Sequence, residues 1–252
     1  MKPKLAILAL VMVCMCGRAT ADSTATATVT LDWADATFSS PVSPHPLPLN
    51  SYSTVVQAGG FIAYPVAEST TFQGKAVTSA GWAPTTFTEQ FSVGNMATGS
   101  TDALSIRTTA TNTVGSVGTS MSAQAERSGA ITTLDGNLAI SVPYTFTFTT
   151  RNGPPCCSLM GDQVFIELFS PTTLVDAAAT SDLDFSGQSF SQSGTETLNA
   201  TGLAPGTYFF DVGAASQSTF VPEPGTLGLM GLGFALIWRR LRNQNTKIAP
   251  WV

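Results

Sequence analysis

Polar and apolar residues take turns along most of this chain. Thr28-Val29-Thr30-Leu31-Asp32-Trp33 alternates, and so does Tyr144-Thr145-Phe146-Thr147-Phe148-Thr149. A period of two sends successive side chains to opposite faces and predicts half-buried strands. The same reading gives strands over Ser53–Gln57, Phe61–Ala67, Thr85–Val93, Ala103–Ala110, Val117–Glu126, Gln163–Phe169, Gln188–Leu198 and Gly206–Gly213. Turn residues punctuate them at Ala58-Gly59-Gly60, Asp135-Gly136-Asn137, Arg151-Asn152-Gly153-Pro154-Pro155 and Ala204-Pro205-Gly206. About ten short strands with regular turn signals predict an all-β chain, a single antiparallel β-sandwich of jelly-roll or Ig-like type. No segment of the body carries a capped helical stripe, and Ala177–Ala179 predicts no more than a short turn. Glu196–Val212 reads as strand, tight turn, strand, with Tyr208 and Phe210 on one side.

Both ends break the alternation. The first 21 residues, MKPKLAILALVMVCMCGRATA, join Lys2 and Lys4 to an apolar run, Leu5–Cys16, and end on a small-x-small site at Ala19 and Ala21. This is the pattern of a secretory signal peptide over 1–21, with cleavage expected before Asp22. The run is short for a membrane span, which needs about 20 residues. Near the other end, Gly225–Trp238 carries no charge. As a helix it is about 21 Å long at 1.5 Å per residue. The hydrocarbon core is about 30 Å thick, so a crossing needs local thinning or snorkelling by the flanking Arg239, Arg240 and Arg242. The arginines place the cytoplasm after the run and the body outside the inner membrane.

Val221-Pro222-Glu223-Pro224, a Gly-rich apolar run and Arg239-Arg240-Leu241-Arg242, in that order, closely resemble the PEP-CTERM sorting signal of Gram-negative bacteria. The signal covers 221–245, and a tail continues to Val252, longer than is usual after the basic cluster. The resemblance implies a partner, an exosortase, which is a membrane-embedded cysteine transpeptidase cutting near Pro-Glu-Pro. It also implies a route: an exported chain, held first in the inner membrane and then released or attached at the cell surface or outside the cell. Hosts of this system often make exopolysaccharide and live in biofilms. Pro222 and Pro224 suit the cut, because each fixes φ and bars helix or ladder, keeping the segment extended and accessible. The Leu-Ala-Pro-Gly-Thr-Tyr stretch from Leu203 resembles the closing hairpin of many bacterial extracellular β-sandwiches.

Charge then narrows the body between the signals, residues 22–220. Charged residues are only 11 % of the chain, made up by Thr, Ser and Gly, which is unlike a nucleic-acid binder with its Lys and Arg clusters. All 16 acidic residues lie between Asp22 and Glu223, but only Lys75, Arg107, Arg127 and Arg151 are basic there, so the processed chain carries a net charge of −12. Such a charge favours solubility and cation-bridged association with acidic exopolysaccharide.

Candidate chemistry is thin. His45, the only histidine, sits between two prolines in the loop Ser43–Pro48, and no nucleophile marks it as part of a triad. The mature chain keeps two adjacent cysteines, Cys156 and Cys157. They admit a vicinal disulfide, an intermolecular bridge or free thiols, but not the Cys-x-x-Cys of a redox catalyst. Glu89, Glu126 and Glu167 lie on strands and are the carboxylates a glycosidase pair would draw on. Asp182-Leu183-Asp184 reads as a solvated loop, or as part of a calcium site, which needs several further oxygen ligands. Trp33 and Trp82 suit either a core or a sugar-stacking platform. No catalytic residue, cofactor or metal site is assigned. The expectation is a non-enzymatic surface or matrix protein with a structural or adhesive role. The competing class is a carbohydrate-binding module or glycan-active enzyme on the same fold. A smooth Thr/Ser face favours the first, and converging carboxylates on one sheet favour the second.

Overall fold

Leu138, Ile140, Val142, Tyr144, Phe146 and Phe148 are all buried, while the residues between them face outward. This strand, Leu138–Arg151, shows how the chain folds: each strand gives one face to a shared core and the other to solvent. In the computed structural model the described residues are 24–42, 46–62, 73–92, 94–113, 119–151, 158–184 and 188–220. They hold thirteen strands: β1 (Thr24–Asp32), β2 (Thr37–Ser39), β3 (Leu49–Ile62), β4 (Gln73–Ala80), β5 (Thr85–Ser92), β6 (Asn95–Thr101), β7 (Ser105–Thr113), β8 (Thr119–Thr133), β9 (Leu138–Arg151), β10 (Ser158–Phe169), β11 (Leu174–Asp184), β12 (Phe190–Ala200) and β13 (Gly206–Phe220).

All pairings are antiparallel and form two sheets. A seven-stranded sheet runs β12-β9-β1-β7-β6-β5, with β2 also on β9, and a six-stranded sheet runs β11-β10-β13-β8-β3-β4. The sheets pack face to face, β13 against β7 and β1, and β8 against β7 and β6. Between them lies a core that includes Val29, Leu31, Ile106, Ile131, Ile140, Phe146, Phe148, Ile166, Leu168, Phe210 and Val212. The pairing is nested: β8 with β13, β9 with β12, β10 with β11, and β1 beside β7 and β9. Pro143 is tolerated within β9 for a local reason. On one side β9 pairs with β1 down to Tyr144 and with β2 from Ser141, so Pro143 falls in the gap and its missing N–H removes no bond there.

Four expectations need correction. Ala58-Gly59-Gly60 is not a turn but lies inside β3, paired with β4 on one side and β8 on the other, because two flanking ladders hold glycines extended. Ala177–Ala179 is not a turn, and Asp182-Leu183-Asp184 is not a loop: both lie in β11, where Ala177 to Ala179 pair with Glu167 to Phe165. Alanine has weak strand preference, and β11, an edge strand, is held by its partner β10 rather than by propensity. Glu196–Val212 is not a hairpin, since β12 and β13 belong to different sheets. The segment between them turns across the core edge, with Leu203 packed on the core and its N–H donating to Gly136 O at 2.9 Å. Gly136, at φ +72°, belongs to the corresponding crossing from β8 to β9, and a Cβ there would collide with Leu203 O. Residues 19–221 make up one compact unit. The signal peptide with Ala19 and Ala21, His45, Cys156, Cys157, the Val221–Pro224 motif, the apolar run and Arg239, Arg240 and Arg242 lie outside the described residues. Among the described residues no helix is long and apolar enough to cross a membrane.

Candidate functional site

The two outer faces differ. On the seven-stranded sheet, outward positions carry hydroxyls that bond one another across strands. Examples are Thr88 with Thr98 (3.0 Å), Thr28 with Thr109 (3.3 Å), Thr145 with Ser193 (2.9 Å) and Ser141 with Thr197 (3.0 Å). Such pairs add modestly to sheet stability, and one hollow of about 410 Å³ lies beside Thr30, Thr145 and Ser193.

The six-stranded sheet instead carries a trough across β3, β8, β13, β10 and β11. One part encloses about 360 Å³, lined by Gln57, Gln124, Gln163, Ala215, Gln217 and Ser181 among others. An adjoining part of about 270 Å³ shares Gln124, Gln163 and Ala215 and adds Glu126, Phe165 and Glu167. Small residues make the floor. Gly213 pairs with Glu126 on one side and Phe165 on the other, and a Cβ there would strike the Phe165 ring and come within 2.9 Å of Glu126 Cβ. The absence of a side chain at Gly213 thus lets the ring lie over the strand. Amides line up beside it: Gln57 Nε2 donates to Gln124 Oε1 at 2.7 Å, and Gln124 Nε2 donates to Glu126 Oε2 at 3.1 Å.

Glu126 and Glu167, two carboxylates noted in the sequence, are brought to this face, and Glu89 is not: it lies on β5 of the other sheet. Asp211, which sequence reasoning missed, completes the group directly opposite Glu167 in the register. Burial raises the Glu126 pKa above the usual carboxylate range, and Asp211 adds to the rise; the Gln124 amide opposes it and Glu167 adds further. The three acids therefore repel one another, which like charges facing across a ladder do at a cost to stability. The outward alternation could have flagged Asp211, but its neighbours depend on pairing that the sequence does not display.

The remaining candidates are structural. Trp33 and Trp82 meet edge to face at 5.0 Å and pack on the core, rather than offering parallel rings to solvent. Trp82 Nε1 donates to Ser128 O at 2.9 Å. Between the sheets, buried Arg127 stacks on Trp33 at 4.9 Å and donates from Nη2 to Asp102 O at 2.6 Å. Burial draws its pKa down, against the pull of Asp102. Asp182 and Asp184 lie on β11, Asp184 buried. Among the described residues no three His, Cys, Asp or Glu side chains cluster so as to hold a metal ion.

One further acid lies inside. Asp162 on β10 is 2 % exposed, and neither of its oxygens has a hydrogen-bond partner. Burial pushes its pKa up to about 7; nearby Ser216 draws it down, Asp182 adds to the rise, and the backbone of Thr147 and Thr28 opposes it. The Ser216 hydroxyl is engaged instead with Thr108, at 2.7 Å from its hydroxyl and 3.3 Å from its carbonyl. Both carboxylate oxygens of Asp162 are thus shielded from solvent, although the residue borders the trough.

Among known proteins, the family model of the PEP-CTERM protein-sorting motif matches residues 220–242. That motif implies an exported chain processed by an exosortase. No curated protein and no solved structure matches the chain.

Proposed function

We propose that this chain is a non-enzymatic surface or extracellular-matrix protein with an adhesive role, sorted through the inner membrane and cut at Val221–Pro224. The observation that carries the reading is where the motif begins. The match starts at Phe220, the last residue of β13, which pairs with Ser158. β13 lies between β8 and β10 at the middle of its sheet. A cut after Phe220 therefore leaves all thirteen strands in the released body, and removal of residues 1–21 leaves β1 intact from Thr24. The nested pairing of β8 with β13, β9 with β12 and β10 with β11 supports a jelly-roll sandwich rather than an Ig-like one. Fold by itself assigns no ligand.

The test is intact mass and terminal peptides of the protein from its native host. A chain starting at Asp22 and ending within Pro222 to Gly225 supports sorting and release. A chain that retains Trp251-Val252 and stays in the inner membrane overturns it. The glycan-active alternative has one supporting observation, the Glu126, Asp211 and Glu167 group; release of reducing ends from a glycan library, lost in Glu126→Gln, would establish it.

A further inference from the structure

We infer that the trough of the six-stranded sheet is a binding site for a glycan that carries free amines, its acidic end taking the ammonium groups and its amide end the hydroxyls. This rests on the adhesive reading above and names the ligand class of that face.

The polar groups of the lining favour a polyhydroxyl ligand. Gln57, Gln124 and Gln163 supply amides, each able to donate and accept, and Ser122 and Ser181 supply hydroxyls. A sugar hydroxyl also donates and accepts, so such a row suits a polyhydroxyl chain whose groups vary in role. The apolar part of the lining, the exposed Leu183 beside Gly59, Gly161 and Ala215, is a surface on which the C–H face of a sugar can lie. Phe165, laid over Gly213, offers a ring on which a sugar can pack. The two parts together fall within the range of about 300–1,000 Å³ typical of ligand sites.

Charge narrows it further. Neither part of the trough is lined by a Lys or Arg. Glu126 and Glu167 line one end, and Asp211 stands opposite Glu167. No cation among the lining residues balances them, so an acidic polysaccharide is repelled here, whereas a protonated amine relieves the mutual repulsion of the three. The net charge of −12 on the processed chain reinforces that preference at a distance. This face therefore takes a different partner from the cation-bridged acidic polysaccharide that composition alone suggests.

The experiment is calorimetry on the full chain in neutral detergent at neutral pH, where the acids are ionised and a share of the sugar amines is still protonated. The probes are β-1,4-linked glucosamine oligomers, their fully N-acetylated counterparts, oligogalacturonates and oligolysine. The expected result is binding of the glucosamine oligomers about tenfold tighter than the acetylated ones, a gap that added salt narrows. Oligogalacturonates are expected not to bind. Glu126→Gln, outward-facing and relieved of repulsion, should fold as well as the parent and lose the tenfold preference while keeping the weaker neutral binding; Gln124→Ala should weaken both. Equal binding of amine and acetylated forms overturns the amine assignment. Oligolysine binding as tightly as the amino sugar overturns the glycan class, and no binding of any sugar overturns the site. Matrix retention in the host separates this from the adhesive reading. Retention without oligomer binding sinks the trough assignment alone, and amine-glycan binding without retention supports the trough while sinking the adhesive role.

Discussion

Replacing Asp162 with Asn should make the body more stable at neutral pH and leave its stability near pH 4 almost unchanged. The reasoning begins from the side chain's position. Asp162 is buried and unpartnered between the sheets, and its pKa is pushed from 3.8 up to about 7. An acid whose folded pKa is raised binds its proton more tightly when folded. Stability is therefore fully present below the unfolded pKa, declines as pH rises from about 4 to about 7, and levels off above that. The shift is about three pH units, and each unit corresponds to about 1.4 kcal/mol, so the full loss is about 4 kcal/mol as an upper bound. Water penetration and relaxation reduce this, and we expect about 2–4 kcal/mol. Asn has the same shape and no charge, so the loss disappears. It leaves an imperfectly bonded amide in the core, much as the protonated acid does near pH 4, and any offset between the two, up to about 1 kcal/mol, does not vary with pH.

The measurement is urea unfolding of parent and variant at steps from pH 4 to pH 8.5. Other groups also titrate: the Glu126 pKa is raised, and those of Asp102 and Asp135 are lowered by hydrogen bonds, from the Leu104 backbone and from the Ser40 side chain respectively. Their contributions largely cancel in the difference between the two proteins at each pH. That difference should rise in favour of the Asp162→Asn variant between about pH 4 and pH 7 and then stay flat. A difference independent of pH, or one moving the other way, would refute the assignment of a raised pKa to Asp162.

Three further outcomes follow from the packing. Arg127→Ala should cost about 3 kcal/mol, since it opens a cavity beside Trp33 and strands the Asp102 carbonyl; Arg127→Met, which fills the space and removes a buried charge whose Nε lacks a partner, should fall within about 1 kcal/mol of the parent in the same urea assay. Gly136→Ala should cost about 2 kcal/mol, because φ is +72° and the added Cβ meets Leu203 O; a melting temperature unchanged from the parent would refute the contact. A chain stopped after Pro222 should unfold cooperatively, whereas one stopped after Pro205 should be degraded by protease at once, having lost the central β13 with Phe210, Val212 and Ala214.

How much of this was legible in the sequence depended on the range of the information. The sorting motif is a linear string, so Val221–Pro224 and Arg239–Arg242 could be picked out without a fold, and the family match falls on the same residues. Strands that bury large side chains on one face were also visible, as at Tyr144–Thr149, because burial imposes the alternation. β4 and β11 were not. Their Gln73-Gly74-Lys75-Ala76 and Ala177-Ala178-Ala179 stretches have little intrinsic strand preference and little to bury, and each is an edge strand held by a neighbour's backbone. The β12–β13 connection misled for a related reason: a turn-rich segment between two alternating runs looks the same whether the runs pair with each other or with strands elsewhere. The trough is the extreme case. Gln57, Gln124, Gln163 and Asp211 come from four different strands, and each looks like an ordinary solvent-facing position until register places it beside the others. A binding face built across a sheet has no local signature, because its specificity resides in which strands are neighbours. That is why the chain displays its address in a short tail while its ligand is readable only on the assembled sheet.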